Sequence, residues 1–418
     1  MRRMSLFLTC YVLLAVAKPC AAQSVLPDVI NEWSVLASQL AAAPPAMHPL
    51  RTPVTLAMLH LAMYDAVNAA SGTREAYAVS PSVPRALARG SSAYAAAVAA
   101  GHGVLINEFP RHAETLDAKR RMLDGALPDS AEKSNGARLG AKVALKLLAL
   151  RAHDGRDAVL PAFDPGTGPG AYVPTPPLSQ AVDSEFLAYI TPFTMNSAAQ
   201  FRPAGPPRLG SRRYARDYNE VMSFGVKDGS ARTAEQTETA MFWQPLAGTV
   251  WPATIRRMAA EQSLDLLARA HFEAAAFAAF ADSLIACWDA KFHFRFWRPV
   301  TAIRAGETDH NENTVAEPSW EPMFDTPNFP EYPSGHACAT AAVAHTIEDY
   351  FDHDVPIPAH SVRTNTERIY RKASDVVNEV IEARMMIGVH FRTADEDGAA
   401  IGRKIARQIR SRFFKRVE

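Results

Sequence analysis

Long alanine-rich stretches with apolar residues three and four positions apart recur along this chain of 418 residues, and the longest covers 263–295. This spacing puts apolar side chains on one face of an α-helix, and packing against other helices buries that face. The stretch 263–295 is one helix or two helices end to end, and shorter helices are predicted at 55–70, 91–109, 131–151, 233–242, 335–351, 366–388 and 393–412. Sustained alternating β patterns are scarce. The sequence therefore predicts an all-α fold of packed helical bundles.

A proline-rich segment interrupts the helical pattern. Ten of the 30 prolines lie between positions 161 and 207. Proline fixes φ and lacks an N–H donor, so no long helix or central strand fits there. The segment is an ordered excursion or a linker. We predict an N-terminal helical half at 23–160, a Pro/Gly-rich connection at 161–212, and a C-terminal helical half at 213–418.

The N-terminus has the pattern of an export signal. Arg2 and Arg3 precede an apolar run that is followed by small residues just before Gln23. The run is shorter than the roughly 20 apolar residues that span a membrane, although a retained anchor is the alternative. We expect a signal peptide at 1–22 and an exported protein, periplasmic or secreted, with no membrane partner after cleavage.

Charge and cysteine content narrow the functional class. The sequence has 44 basic and 44 acidic residues. Proteins that bind nucleic acid usually carry an excess of basic residues, so this balance argues against a nucleic-acid partner. Only Cys287 and Cys338 remain after the signal. Two cysteines do not make a disulfide framework, so buried free thiols are favoured over a bridge.

Four short segments together predict an oxyanion pocket. They are 291–299 (KFHFRFWRP), 328–332 (NFPEY), 333–336 (PSGH) and 384–390 (RMMIGVH). Lysine and arginine cannot bind cations, so this set suits a tetrahedral anion such as phosphate or vanadate. The contributing residues are Lys291, Arg298, Ser334, Gly335, His336, Arg384 and His390.

Two cations and a helix start are expected to face this anion. Lys291 and Arg298 are seven positions apart, which on one helix places them on nearly the same face. Ser334 fits a helix N-cap, and Gly335 lets the backbone approach a ligand, with His336 in the first turn. The alternatives are a solvated basic stripe and a simple cap with an exposed histidine.

The last segment should supply a second histidine from a short connection. Arg384 is near the end of one predicted helix, and His390 follows Gly388. Thr393 and Glu396 have the spacing of a capping box, so the next helix is expected to start there. The alternative is an arginine that balances the helix dipole and a histidine satisfied within the loop.

In order and spacing, Lys-x6-Arg-Pro, PSGH and Arg-x5-His resemble the signature shared by vanadium-dependent haloperoxidases and type 2 phosphatidic acid phosphatases, over about residues 285–400. The helical N-terminal half looks like bacterial members of the haloperoxidase branch. The resemblance implies a vanadate cofactor, whose site phosphate can also occupy. It implies that His390 bonds vanadium and that His336 is the acid–base group. It further implies that Lys291 polarises peroxide, and that the oxygens are held by Lys291, Arg298, Ser334, Gly335 and Arg384.

Two aromatic residues refine the resemblance. Trp288 and Phe329 are similar to a tryptophan and a phenylalanine that line the halide side of the pocket in fungal vanadium chloroperoxidases. Ordinary core packing is the alternative for both.

One position departs from the signature, because an aspartate usually stands four residues after the last histidine. Here Ala394 occupies that position and Asp395 follows it, so a local backbone change would be needed for Asp395 to orient His390.

Three functions remain open from the sequence. The favoured one is a vanadate-dependent haloperoxidase that uses hydrogen peroxide to oxidise a halide to a hypohalous species or to halogenate a small organic substrate. The second is an exported acid phosphatase that acts through a phosphohistidine at His390. The third is a non-catalytic oxyanion-binding protein, against which the two imidazoles argue.

Overall fold

The computed structural model describes residues 26–78, 88–245, 247–352 and 355–417. The predicted signal peptide at 1–22 lies outside the described residues. Within them the structure is helical, as expected, apart from one short hairpin. The α-helices are α1 Val29–Ala42, α2 Thr52–Ser71, α3 Ala93–Glu108, α4 Ala113–Asp124, α5 Ala131–Arg151, α6 Arg212–Phe224, α7 Ala234–Phe242, α8 Ala247–Glu261, α9 Leu266–Phe294, α10 Pro299–Arg304, α11 Gly335–Tyr350, α12 Ala373–Met386 and α13 Arg392–Arg412.

Short 3-10 helices cover Pro110–His112, Glu185–Tyr189, Ala198–Phe201 and Gly306–Thr308. The strands β1 Ile357–Ser361 and β2 Thr366–Tyr370 pair antiparallel, with Ile357 opposite Tyr370 and Ser361 opposite Thr366. The predicted helix at 366–388 is therefore wrong in its first part. The residues 366–370 (TERIY) form β2 instead, because β1 offers a pairing edge and only the residues from Ala373 onward pack as a helix.

The 29-residue helix α9 is the centre of the fold and is continuous. The Asp265 side chain caps its start by accepting from the Ala268 amide at 2.8 Å. It packs against α2 on one side and α11 on the other, so one apolar core joins helices of both halves. By length and composition α9 could cross a membrane, but 94% of its most apolar window is buried inside the protein. Its apolarity is that of a central core helix.

Two glycines let α13 lie against the start of α11. A Cβ on Gly398 would come 2.6 Å from the Ser334 carbonyl oxygen, and one on Gly402 would come 2.3 Å from the Cys338 carbonyl oxygen. Only glycine permits this approach. The contact fixes the first turn of α11, where the PSGH segment lies.

Cys287 on α9 and Cys338 on α11 form a disulfide. The expectation of two free thiols is wrong. The sequence separates the two residues by 51 positions, and it gives no sign that packing of α9 against α11 brings the two side chains together.

The proline-rich segment is held along α9. The Asp282 carboxylate accepts from the backbone amides of Phe193 and Thr194, each at 2.7 Å. The amide of Trp297 donates to the Gly170 carbonyl at 2.9 Å. No long helix or strand forms between 161 and 207 among the described residues, as the prolines predict.

Candidate active site

A cavity of about 310 Å³ opens between α9, the start of α11, the end of α12 and the loop before PSGH. Six of the nine residues predicted from the sequence line it, and the other three are fully buried behind its wall. The lining residues are Trp288, Phe329, Gly335, His336, Arg384 and His390, and the buried ones are Lys291, Arg298 and Ser334. The structure thus brings four separate segments of the sequence together at one place.

Lys291 and Arg298 reach this place from two elements. The expectation that they share one helix face is wrong, because α9 ends at Phe294 and Arg295 turns into the left-handed region at φ 49°. Phe296 then pairs as an isolated bridge with Ala171. Arg298 precedes α10, where Pro299 occupies the first helical position.

The Lys291 ammonium is fully committed to the backbone. Its Nζ donates to the carbonyl oxygens of Pro330 at 3.1 Å, Glu331 at 2.8 Å and Pro333 at 2.5 Å. An ammonium has three donors, so all three are in use. Burial and the neighbouring Arg298 guanidinium hold the pKa of Lys291 well below its usual value. The three carbonyl acceptors need all three N–H groups of the ammonium form, so against that shift Lys291 fixes the loop before PSGH as a positive charge beside the cavity.

The two guanidiniums keep unused donors. Arg298 donates through Nε to the Phe329 carbonyl at 3.0 Å and through Nη1 to the Val389 carbonyl at 2.9 Å. Arg384 donates through Nη1 to the Trp243 carbonyl at 3.2 Å. Arg298 Nη2 and Arg384 Nε are buried and have no hydrogen-bond partner among the described residues. Such orphaned donors are costly in a protein interior unless an acceptor satisfies them.

Ser334 adds a third donor of this kind. It stands at the N-cap position of α11, but its side chain makes no capping hydrogen bond, contrary to the expectation from sequence. Its buried Oγ lacks a partner in the described part of the chain. The Asp395 carboxyl lies close to it, although no hydrogen bond of good geometry joins them. A Cβ on Gly335 would come 2.8 Å from the Trp288 ring, so a glycine is required beside the aromatic wall.

His336 and His390 are the two imidazoles of the site. His336 Nε2 donates to the Pro245 carbonyl at 2.9 Å, which leaves Nδ1 as the unprotonated nitrogen. Burial lowers the pKa of His336 well below its usual value, and the Arg384 guanidinium lowers it further. Burial, and after it the charge of Arg298, also lowers the pKa of His390 well below its usual value. Both rings are therefore neutral near pH 7 in the absence of a bound anion.

Glu331 orients His390, and sequence analysis missed this role. Its Oε1 lies 2.8 Å from His390 Nδ1 and accepts from the Phe391 amide at 3.0 Å. Arg298 Nη1 can only donate, so His390 Nε2 accepts from it at 3.4 Å and carries the lone pair of the ring. The ring proton therefore belongs to Nδ1, which donates to Glu331 Oε1. The available signal was an acid that stands among Phe329, Pro330 and Tyr332 directly before PSGH.

Asp395 does not take the place of the family's aspartate. It is fully buried next to Ser334 and interacts electrostatically with Arg384, while the His390 Nδ1 contact belongs to Glu331. Burial raises the pKa of Glu331 to about 8 and raises that of Asp395 as well.

The capping box expected from Thr393 and Glu396 is absent, because Thr393 Oγ1 hydrogen-bonds to Asp217 instead.

Trp288 and Phe329 form the aromatic wall of the cavity. Their ring centroids are 5.1 Å apart. Lys291 Nζ lies 5.5 Å from the Trp288 ring and 5.3 Å from the Phe329 ring, and the Arg298 guanidinium lies 5.1 Å from the Phe329 ring. These are cation–π distances. The wall therefore presents apolar rings to the cavity, and the cationic side chains of Lys291 and Arg298 lie behind these rings.

Comparison with known proteins agrees with this geometry. Residues 271–418 match the family described as the vanadium chloroperoxidase second helical-bundle domain. A vanadium chloroperoxidase of Curvularia inaequalis is 26% identical over a match that covers 45% of this chain and 37% of that protein. The chain thus spans about a third of the length of this curated relative.

Two solved bacterial structures share the fold over nearly the whole chain. A vanadium-dependent iodoperoxidase superposes with a TM-score of 0.77 at 22% identity, covering 94% of this chain and 98% of that one. A holo-type vanadium-dependent chloroperoxidase superposes with a TM-score of 0.67 at 19% identity, covering 89% and 93%. Residues 271–418 are thus similar to the second helical-bundle domain of vanadium chloroperoxidases, and the chain has the fold of these two bacterial vanadium-dependent haloperoxidases.

Proposed function

We propose that this protein is a vanadate-dependent haloperoxidase that uses hydrogen peroxide to oxidise a halide. One observation carries the proposal. Three buried donors without a partner in the described chain, Arg298 Nη2, Arg384 Nε and Ser334 Oγ, accompany the Nε2 lone pair of His390 in one buried cluster. An oxyanion accepts from all three donors, and a central atom that takes a nitrogen ligand bonds His390 Nε2 in exchange for its 3.4 Å contact with Arg298 Nη1.

The residues present fit vanadate. Arg298, Arg384, Ser334 and the Gly335 amide would hold its oxygens, and His390 would supply the nitrogen ligand. Lys291 contributes charge, and it can donate to an oxygen only by exchanging one of its carbonyl partners. When bound, vanadate supplies Lewis-acid activation of hydrogen peroxide toward a halide. Phosphate has the same tetrahedral shape and charge type, so it should compete for the site.

His336 is the proposed acid–base group. It lines the cavity, and its unprotonated Nδ1 can take a proton from hydrogen peroxide. A low pKa in the ligand-free protein means that His336 begins as a base. A bound anion raises that pKa, so the imidazolium is stabilised after proton transfer.

Trp288 and Phe329 are proposed as the halide wall. Their rings exclude water, and the Lys291 and Arg298 charges lie behind them. A weakly hydrated halide beside such a wall loses little solvation and gains attraction to the cations.

The same donors would also stabilise a phosphoryl group, so an acid phosphatase is the competing function. The family match over residues 271–418 supports the haloperoxidase. The test is to assay vanadate-free protein for iodide and bromide oxidation by peroxide and for phosphate-ester hydrolysis, with and without vanadate. Halide oxidation that requires vanadate supports the proposal. Ester hydrolysis that vanadate suppresses, with no halide oxidation in its presence, would falsify it.

We further propose that the protein is exported, on the basis of the sequence at 1–22. Mass spectrometry of the mature protein should find an N-terminus close to Gln23. A membrane-bound form that retains Met1 would contradict export by cleavage.

A further inference from the structure

We propose that the proline-rich connection completes the aromatic wall of the site, with Ser184 as the residue that positions Trp288. The inference rests on the proposed haloperoxidase function, because this wall is the one that would face the halide. It gives a role in the site to a part of the chain that the sequence predicts only as an excursion or a linker. Three observations carry it, namely a hydrogen bond to the Trp288 ring, the backbone conformation of Ser184, and the contacts that hold the segment 181–184.

The hydroxyl of Ser184 is the hydrogen-bond partner of the Trp288 indole. Trp288 Nε1 donates to Ser184 Oγ at 2.7 Å, and both side chains are buried. Ser184 Oγ donates its own proton to the Asp183 carbonyl at 2.6 Å, so toward the indole it can only accept. An indole N–H without an acceptor is unfavourable in a protein interior. This bond therefore fixes the rotation of the ring.

The bond holds one edge of the ring, and Gly335 leaves room for the other. A Cβ on Gly335 would come 2.8 Å from Cζ3 of Trp288, an atom of the six-membered ring. The indole thus lies between the start of α11 and the segment 181–184. In this orientation its centroid is 5.1 Å from that of the Phe329 ring and 5.5 Å from Lys291 Nζ. Rotation of the indole would change both distances, and with them the shape of the wall.

Ser184 has a backbone conformation that serine rarely adopts. Its φ is 65°, in the left-handed region, where residues other than glycine, asparagine and aspartate are uncommon. Such a conformation persists only where the surrounding structure enforces it, and it is concentrated at functional sites. Glycine would relieve the backbone here, but it has no oxygen to accept the indole N–H. A serine at this position therefore points to the hydroxyl as the group that matters.

Two further hydrogen bonds join the segment 181–184 to the second residue of the wall. The Asp183 amide donates to the Asn328 carbonyl at 3.1 Å, and Asn328 Nδ2 donates to the Ala181 carbonyl at 2.8 Å. Asn328 directly precedes Phe329 in the chain. One segment thus holds both aromatic residues of the wall, one directly and the other through its neighbour.

His48 braces the segment from the N-terminal half. Its Nδ1 accepts from the Leu50 amide at 3.2 Å, so Nε2 carries the ring proton and donates to Asp183 Oδ1 at 2.9 Å. His48 and Asp183 both line the cavity. The position of Ser184 therefore depends on a network that extends from the loop between α1 and α2 to the Trp288 ring.

Ser184→Gly separates the hydroxyl from the backbone. The variant lacks the acceptor, and glycine adopts this φ without strain, so the variant should fold. Ser179→Gly is the matched control. Ser179 belongs to the same connection and is also in the left-handed region, at φ 44°, but it is exposed and does not line the cavity.

Steady-state kinetics with vanadate tests the effect on the halide. Ser184→Gly should raise the KM for iodide by about fivefold or more, and leave the KM for peroxide and the affinity for vanadate within about twofold of the wild type. Ser179→Gly should leave all three unchanged. A purely structural role would lower the thermal midpoint without a selective change in the KM for iodide. Equal KM values for iodide in the two variants would overturn the inference.

A double-mutant cycle tests whether Ser184 acts through the indole N–H. Trp288→Phe keeps an aromatic ring but removes this donor. Adding Ser184→Gly to Trp288→Phe should therefore cause no further rise in the KM for iodide, because the bond is already absent. An undiminished effect of Ser184→Gly in that background would show that Ser184 does not act on Trp288.

The indole N–H resonance of Trp288 gives a readout that needs no enzymatic activity. In protein with isotope-labelled tryptophan, loss of one of the six indole resonances in Trp288→Phe identifies it. Hydrogen exchange at this N–H should be about tenfold faster or more in Ser184→Gly than in the wild type, and unchanged in Ser179→Gly. Equal exchange in all three proteins would overturn the inference. Faster exchange in Ser184→Gly alone, in a protein that oxidises no halide, would contradict the proposed function while supporting the positioning of Trp288 by Ser184.

Discussion

Glu331 Oε1 accepts from both His390 Nδ1, at 2.8 Å, and the Phe391 amide, at 3.0 Å. The carboxyl group thus ties the ring of His390 to the backbone that follows it. The consequence is that Nε2, and not Nδ1, is the nitrogen available to a ligand. When Glu331 is ionised, its negative charge also increases the basicity of the ligating nitrogen.

Two substitutions of Glu331 should distinguish its role in orienting the His390 ring from the effect of its negative charge. Glu331→Gln retains an oxygen that can accept both N–H groups, whereas Glu331→Leu removes the acceptor. We expect Glu331→Leu to weaken vanadate binding roughly 10- to 100-fold, the usual effect of losing such a partner, and Glu331→Gln to weaken it less. Calorimetry with vanadate measures both, with the thermal midpoint as a control for folding. Equal affinities for the wild type and both variants would show that Glu331 does not position His390.

The disulfide should contribute to stability. In the chain-entropy description, a bond that closes 51 positions stabilises the folded state by roughly 4 kcal/mol. Cys287→Ala with Cys338→Ala should lower the free energy of unfolding by up to that amount, as measured by denaturant titration. Wild-type protein unfolded under reducing conditions should approach the variant. Identical midpoints for the oxidised wild type and the variant would mean that the bond adds no stability.

The pH dependence of stability should include a contribution from His271. Burial, followed by the charge of Arg74, lowers the pKa of His271 to about 3. The unfolded chain binds the proton near pH 6.5, so this contribution is complete above that pH and is lost as the pH falls toward 3. Between about pH 8 and about pH 5 the loss is about 2 kcal/mol.

His271→Phe should remove that part of the pH dependence. Phenylalanine keeps the ring contacts with Tyr64, Tyr350 and Phe414 but cannot take a proton. Denaturant unfolding at several pH values compares the two proteins. An equal fall in stability with acid for both would show that His271 is not the group that titrates.

Much of this site was predictable from residue types and spacing, whereas local geometry was not. Lys291 and Arg298 lie near one another as the sequence predicts, but the predicted reason, a shared helix face, is wrong because α9 ends at Phe294 and Arg295 separates the two elements. The role of Glu331 could not be read from a motif, since it depends on a loop folding back onto the residue after α12. The free-thiol expectation for Cys287 failed for a similar reason, because helix packing decides which side chains meet.

In the fold, too, long regular patterns were predictable and local geometry was not. Helix at the position of α9 was predictable because the alanine-rich pattern persists for eight turns, although the pattern left open whether one helix or two helices end to end form there. The β1–β2 hairpin was missed because each strand has only five residues, and pairing between them outweighed the helical pattern that runs into α12. Short elements take their conformation from neighbours that the sequence does not reveal.

The most direct test of the oxyanion site is a titration of vanadate-free protein with vanadate, followed by peroxide-dependent iodide oxidation. We predict that activity rises from zero and saturates at one vanadate per chain, that phosphate competes, and that His390→Ala abolishes both the activity and the saturation. Activity that does not depend on vanadate, or vanadate binding that survives in His390→Ala with unchanged affinity, would contradict the assignment of this site.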